Sequence, residues 1–296
     1  MSFYSRFMYA LMTVADKKLM KQYSVPEDIS MLTDIPYGTD KKWEILDIYR
    51  PKGTENKAIP VLVNVHGGGW IYGNKEIYKY YCMHMAEKGY AVISFNYPLP
   101  PKVAAPSILQ HTVDVFKWVA TNAAKYHFDI KNLFGMGDSA GAHTLAQYGV
   151  LVTNPDYEQF IGISAVGCPK PNAILLNSGV YDFFHLDKEC EKLISGMVSA
   201  YCKQKFDDSA RKKMTMVDFV NGQFPPAFIM TAVADFTRNQ PKYLSTKLQE
   251  CGNEYVSKEY GSDDNKLGHI FNRSIETSDA VICNNEEADF LNKHVR

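Results

Sequence analysis

Short, unbroken apolar runs alternate along this chain with longer segments of helical period. "IPVLVNV" (59–65), "AVISFNY" (91–97), "KNLFGMG" (131–137), "NAILLNSG" (172–179) and "PPAFIMTAVA" (225–234) lack the in-out alternation of a half-buried strand. Continuous runs of this kind belong to strands covered on both faces. They predict a mostly parallel sheet with helices on each side. Helical patterns fall between them: residues 75–90, closed by Gly89; 106–127, with Pro106 in the first turn; 139–152; 241–252, closed by Gly252; and 285–295. "EYVSKEY" (254–260) adds a late strand. Near the start, "KKWEILDIYRP" (41–51) predicts a half-buried strand, antiparallel to a neighbour near residues 35–37.

Two segments stand outside the alternation. Phe3, Tyr4, Phe7, Met8, Leu11 and Met12 recur at helical spacing, which predicts an amphipathic helix laid over part of the core. Arg6 and Asp16 interrupt any signal-type apolar stretch there, and no run in the chain is long enough to span a bilayer. Residues 180–222 separate two strands by far more chain than a connection needs, as lids and binding segments do. The expectation is one domain, 1–296, with a small helical cap formed by about 1–30 and about 181–222 over the carboxyl edge of the sheet.

Composition narrows the classes. With 296 residues, 46% of them hydrophobic, the chain can bury a sizeable core. A formal net charge of −1 without any K/R-rich run argues against a nucleic-acid partner. Cys82, Cys168, Cys190, Cys202, Cys251 and Cys283 form no CxxC pair, so neither a zinc site nor a redox motif is indicated. Free thiols in a reducing cytoplasm are expected. No cofactor and no metal are expected, and homo-oligomerisation is left open.

In parallel sheets of this type ligands sit beyond the carboxyl ends of the strands, so the residues directly after each run carry the chemistry. After "KNLF", Gly137-Asp138-Ser139-Ala140-Gly141 fits G-x-S-x-G, a strand-to-helix turn that lifts a serine hydroxyl clear of the sheet. A dinucleotide fingerprint overlaps it at Gly135, Gly137 and Ala140, but Asp138 would repel a pyrophosphate. A nucleophilic serine needs a base and an orienting acid, in this architecture in the order Ser, Asp or Glu, His. Of the histidines that follow, His143 lies on the helix itself, His185 in the long insert and His294 at the C-terminus. His269 follows the last strand and is the expected base. Asp235, just past "PPAFIMTAVA", is preferred as the acid over Asp182, one strand earlier; Asp263 and Asp264 lie in a polar run. After "IPVLVNV" comes "HGGGW", bare backbone whose amides can approach a developing oxyanion closely. Gly68 and Gly69, with Ala140 after the nucleophile, are the expected donors. His66 is expected to hold the loop and Trp70 to brace the pocket.

HGGGW at 66–70, GDSAG at 137–141, "AVADFTRNQ" around Asp235 and "GHIF" around His269 together resemble the bacterial hormone-sensitive-lipase family of α/β-hydrolase esterases, from about Lys42 onward. The resemblance implies the α/β-hydrolase fold, Ser139 as nucleophile, Asp235 as acid, His269 as base, a bracing role for Asp138 and a cap from the N-terminus and the insert. "NYPLPPKVAAP" (96–106) departs at Pro98, where that family carries arginine. The implied activity is a serine carboxylesterase acting on short-chain, acetyl-type esters of small molecules. "HGGGW" and "GDSAGAH" are similar also to kynurenine formamidases, which leaves an arylformamidase as the alternative. A binding protein that merely kept the fold would typically have lost a triad member, and all three candidates are present.

Overall fold

The computed structural model describes residues 3–296, with side chains from Arg6 onward. In chain order the elements are helix α1 (Phe3–Met20), strands β1 (Ile29–Pro36), β2 (Ile45–Pro51) and β3 (Ile59–Val65), α2 (Lys79–Ala86), β4 (Ala91–Phe95), α3 (Ser107–Tyr126), β5 (Phe128–Asp138), α4 (Ala140–Leu151), α5 (Pro155–Ile161), β6 (Ala173–Asn177), α6 (Lys188–Cys202), α7 (Asp208–Met214), β7 (Ala227–Ala232), α8 (Pro241–Glu250), β8 (Tyr255–Tyr260) and α9 (Ser278–Asn292). One eight-stranded sheet runs in the order β1-β2-β4-β3-β5-β6-β7-β8. β1 and β2 are antiparallel to their neighbours and β3 to β8 are parallel.

The apolar runs become the central strands because both faces are covered. Val61, Val63, Ile93 and Ile174 pack beneath α3, α4 and α8; Leu62, Val92, Phe134 and Met136 face α2 and α9 on the other side. The antiparallel pairing expected at the start has Ile35 opposite Leu46 and Pro36 opposite Ile45.

Several boundaries differ from the sequence reading. Residues 75–90 form a 3-10 turn, Lys75–Tyr78, followed by α2. Pro106 is the N-cap of α3 rather than part of its first turn. α5 is a capped helix of seven residues, too short to carry a periodic signal. α9 begins seven residues before its apolar pattern does, because the Thr277 side chain caps it by accepting from the Ala280 amide.

The N-terminal segment is helical as expected, but its apolar side chains do not share one buried face. Met8 and Met12 line a cavity, with Ala15 and Asp16 beside them. Phe7, Leu11 and Val14 are 55%, 55% and 68% exposed. At 100° per residue positions 7, 11 and 14 fall on one line and 8, 12 and 15 on the next, and only the second meets protein. The Phe3 and Tyr4 side chains lie outside the described residues. The long insert holds α6, α7 and a 3-10 turn, Val217–Phe219. Ile194 and Met197 of α6 line the same cavity as α1. Among the described residues no helix is long and apolar enough to cross a membrane.

Candidate active site

β5 ends at Asp138 and α4 begins at Ala140, so Ser139 alone turns the chain. Its φ of 53° and ψ of −119° lie where a side-chain-bearing residue is strained by about 1–3 kcal/mol. Two backbone bonds hold it there. The Ser139 amide donates to the Asn177 carbonyl at 2.7 Å, and the Ser139 carbonyl accepts from the His143 amide at 3.1 Å. The glycine spacing has a steric cause: a Cβ at Gly141 would stand 2.0 Å from the Val65 carbonyl oxygen, backbone that cannot move aside. Gly141→Ala is therefore expected to cost at least about 1–3 kcal/mol, read as a lowered Tm in a thermal melt. A Tm equal to that of the unmodified chain would contradict this packing.

His269 joins the turn from the loop after β8. Its Nε2 lies 3.0 Å from Ser139 Oγ and its Nδ1 2.8 Å from Asp235 Oδ1. The loops are registered by a single parallel bridge between Ala234 and Gly268, in which the Ala234 amide donates to the Leu267 carbonyl at 2.9 Å. That bridge sets Asp235 and His269, one residue further along each segment, side by side. Thr237 donates to the same carboxylate oxygen through its amide (2.8 Å) and its hydroxyl (2.9 Å), fixing the carboxylate orientation. Burial alone would raise the Asp235 pKa, but the attraction and hydrogen bond of His269 outweigh it and hold the carboxyl below its ordinary value. Asp235 is thus an anion facing an imidazole, and the imidazole faces a hydroxyl.

The glycine loop closes the other side. Gly68 and Gly69 take φ of 119° and 58°, which glycine adopts without strain. Among the described residues their amides donate to no protein acceptor, and the Ala140 amide is the first of a helix, with no partner one turn back. Gly69 lies directly under Met197 of α6: a Cβ there would sit 2.3 Å from the thioether sulfur. His66 is fully buried, stacked on Tyr97 at 4.0 Å, and its Nδ1 donates to the Gly67 carbonyl at 2.8 Å. Burial lowers its pKa to about 4, so it is neutral and supports the loop.

Asp138 links this loop to the serine turn. The Tyr78 hydroxyl donates between its two carboxylate oxygens, at 2.7 and 2.8 Å, and accepts from the Gly67 amide at 2.9 Å. Arg273 lies 4.1 Å from the Tyr78 ring, and its Nη2 donates to Asp16 of α1 and to the Ile77 carbonyl, each at 2.9 Å. Tyr78 and Arg273 belong to the site and escaped the sequence reading. Arg273, a cation just beyond "GHIF" and only 6% exposed, was the one available signal. A buried cation needs an anion, which here comes from the N-terminal helix.

The remaining candidates stand apart. His185 pairs with Asp182 at 2.7 Å in the insert, His294 with Glu254 at 3.3 Å, and Asp263 and Asp264 are exposed. His143 is buried behind Trp70. Among the described residues no group of three or more His, Cys, Asp or Glu side chains is placed to hold a metal. Ser139, His269, Gly68 and Gly69 open into a cavity of about 200 Å³, walled largely by Met8, Met12, Ile194, Met197, Val180 and Phe236. The arrangement supplies a hydroxyl, an imidazole nitrogen beside it, an anion behind that imidazole and free amides opposite.

Comparison with known proteins agrees with this architecture. The chain is 30% identical over 239 residues to esterase LipQ of Mycobacterium tuberculosis, covering 76% of this chain and 54% of that protein. It is 37% identical over 215 residues to the versiconal hemiacetal acetate esterase of Dothistroma septosporum, covering 69% of this chain and 65% of the relative. The chain therefore spans between half and two thirds of these relatives' lengths. Among solved structures, esterase B from Lactobacillus rhamnosis superposes with a TM-score of 0.88 at 22% identity, over 98% of this chain and 94% of its own; this likeness shows the α/β-hydrolase fold. The BD-FAE family model matches residues 46–248, more than half of the chain, and the protein belongs to that family, an α/β-hydrolase of the hormone-sensitive-lipase esterase type.

Proposed function

We propose that the protein is a serine carboxylesterase that hydrolyses short-chain acyl esters of small molecules through an acyl-enzyme. The observation that carries this reading is the unbroken line from Asp235 through His269 to Ser139, at 2.8 and 3.0 Å, opening on a cavity edged by free amides. In the proposed mechanism Ser139 Oγ attacks the acyl carbon while His269 Nε2 takes its proton. The amides of Gly68, Gly69 and Ala140 hold the oxyanion of the tetrahedral intermediate. The C–O bond to the alcohol then breaks, and His269 returns the proton to the leaving oxygen. Water repeats the sequence on the acyl-serine and releases the acid. Asp235 accepts the hydrogen bond from Nδ1–H throughout and stabilises the imidazolium. In this reading α1 and the insert act as the cap.

Short acyl length is supported by the cavity. At about 200 Å³ it lies below the roughly 300–1,000 Å³ of sites for larger ligands, and Met197 crowds the glycine loop. The acetate ester in the name of the Dothistroma relative points the same way. The test is a series of p-nitrophenyl esters. Expected is a maximum of kcat/KM at acetate to butyrate and a fall of at least about tenfold by decanoate, the scale set by a few methylenes without a place to bind. A rate that keeps rising to decanoate would overturn the short-chain reading. Preference for N-formylkynurenine over every ester in the series would replace it with an arylformamidase.

A further inference from the structure

Three segments that are remote in sequence meet at His143. Its Nδ1 lies 3.2 Å from Trp70 Nε1 in the glycine loop, and its Nε2 lies 2.8 Å from the carbonyl oxygen of Met214, the last residue of α7 in the insert. Its own backbone sits in the first turn of α4, where its amide binds the Ser139 carbonyl. Phe183, also from the insert, closes the cluster at 5.8 Å from the Trp70 ring and 5.2 Å from the imidazole.

The chemistry fixes the protons. An indole N–H only donates and a carbonyl only accepts. His143 Nδ1 must therefore be bare, and Nε2 must carry the hydrogen that Met214 receives. Both nitrogens are committed and the ring is fully buried, so it is no base for the reaction. Burial also pushes its pKa down to about 4, which keeps Nδ1 free to accept.

Trp70 is the strained end of this connection. Its φ of 60° is unusual for a residue with a bulky side chain, and it follows directly on Gly69. Relaxation of that strain would rotate the peptide that precedes it, and with it the carbonyl and amide directions of the loop. The hydrogen bond to His143 and the contact with Phe183 oppose that relaxation. Oxyanion donors lose their effect when misplaced by about 1 Å, at a cost near 10²-fold.

We infer that His143 is a positioning residue for the oxyanion loop: it holds Trp70, and thereby the amides of Gly68 and Gly69, in register with Ser139. This rests on the esterase reading for its catalytic consequence but not for its geometry.

Two substitutions separate the two bonds. Asn at 143 keeps a polar atom at the δ position, able to accept from Trp70, and loses the reach to Met214. Gln keeps the ε donor for Met214 and loses the δ acceptor. His143→Gln is expected to lower kcat on p-nitrophenyl acetate by about 10- to 100-fold with KM changed less than about threefold, while His143→Asn retains most of kcat. Trp70→Phe removes the donor from the other side and should match His143→Gln, with the double variant no worse than either alone. The amide resonances of Gly68 and Gly69, read by ¹H–¹⁵N NMR, should move in His143→Gln and Trp70→Phe and stay near their original positions in His143→Asn. Equal kcat in all variants of an active enzyme, or unmoved glycine amides, would overturn the inference. So would parallel losses in Asn and Gln, which would mark a merely structural role. If the unmodified protein turns over no ester, the esterase reading fails and the glycine amides still decide the role of His143.

Discussion

Ser139→Ala is expected to lower ester turnover by about 10⁴- to 10⁶-fold, to the level that binding and the oxyanion amides alone supply. The size follows from the site. Among the described residues Ser139 supplies the only hydroxyl hydrogen-bonded to His269 Nε2, at 3.0 Å, and both line the same cavity. Among the described residues no other histidine is hydrogen-bonded to Ser139 Oγ: His66 and His143 are buried in other contacts, and His185 lies with Asp182 in the insert. The fold should tolerate the change. The backbone bonds that hold the turn, from the Ser139 amide to Asn177 and from the His143 amide to the Ser139 carbonyl, do not involve the side chain. Steady-state assay with p-nitrophenyl acetate, beside a thermal melt, checks both points. Turnover within tenfold of the unmodified enzyme would remove Ser139 from the mechanism.

The second large effect is at Asp235. Asp235→Ala is expected to cost about 10⁴-fold in kcat, because His269 loses both the acceptor that sets its tautomer and the charge that stabilises its imidazolium. Asp235→Asn should cost less. One oxygen, Oδ1, accepts from His269 Nδ1 and from both donors of Thr237, so an asparagine with its carbonyl at that position keeps all three bonds and loses only the charge. An Asn variant as impaired as the Ala variant would mean that its amide flips toward His269, and would contradict the single-oxygen arrangement. KM should change little in either variant, since Asp235 lies behind the base and does not line the cavity.

The central strands were readable because each is an apolar run covered on two faces, and the residues singled out for chemistry were readable because they follow those runs. Ser139 and Asp235 follow the ends of β5 and β7 directly or within three residues, His269 lies in the loop after β8, and three separate strands bring them together. What the sequence did not disclose lies in pairings with no local period. Tyr78 meets Asp138 across sixty positions, Arg273 meets Asp16 across the length of the chain, and Trp70 meets His143 and Phe183 from two other segments. Such contacts depend on how helices settle over the sheet edge, and neither propensity nor spacing encodes that. The N-terminal helix shows the same limit. Its apolar positions were plain, but which of two adjacent lines would face the cavity was decided by Asp16 reaching Arg273.

The central claim is that Ser139 is the nucleophile that carries the acyl group. It is tested most directly by treating the protein with a fluorophosphonate and locating the adduct by mass spectrometry of its peptides. The result expected is a single phosphonylated residue, Ser139, with ester hydrolysis lost in proportion to labelling and no adduct in Ser139→Ala. An enzyme that hydrolyses esters while Ser139 stays unlabelled, or one inactivated through a different residue, would contradict it.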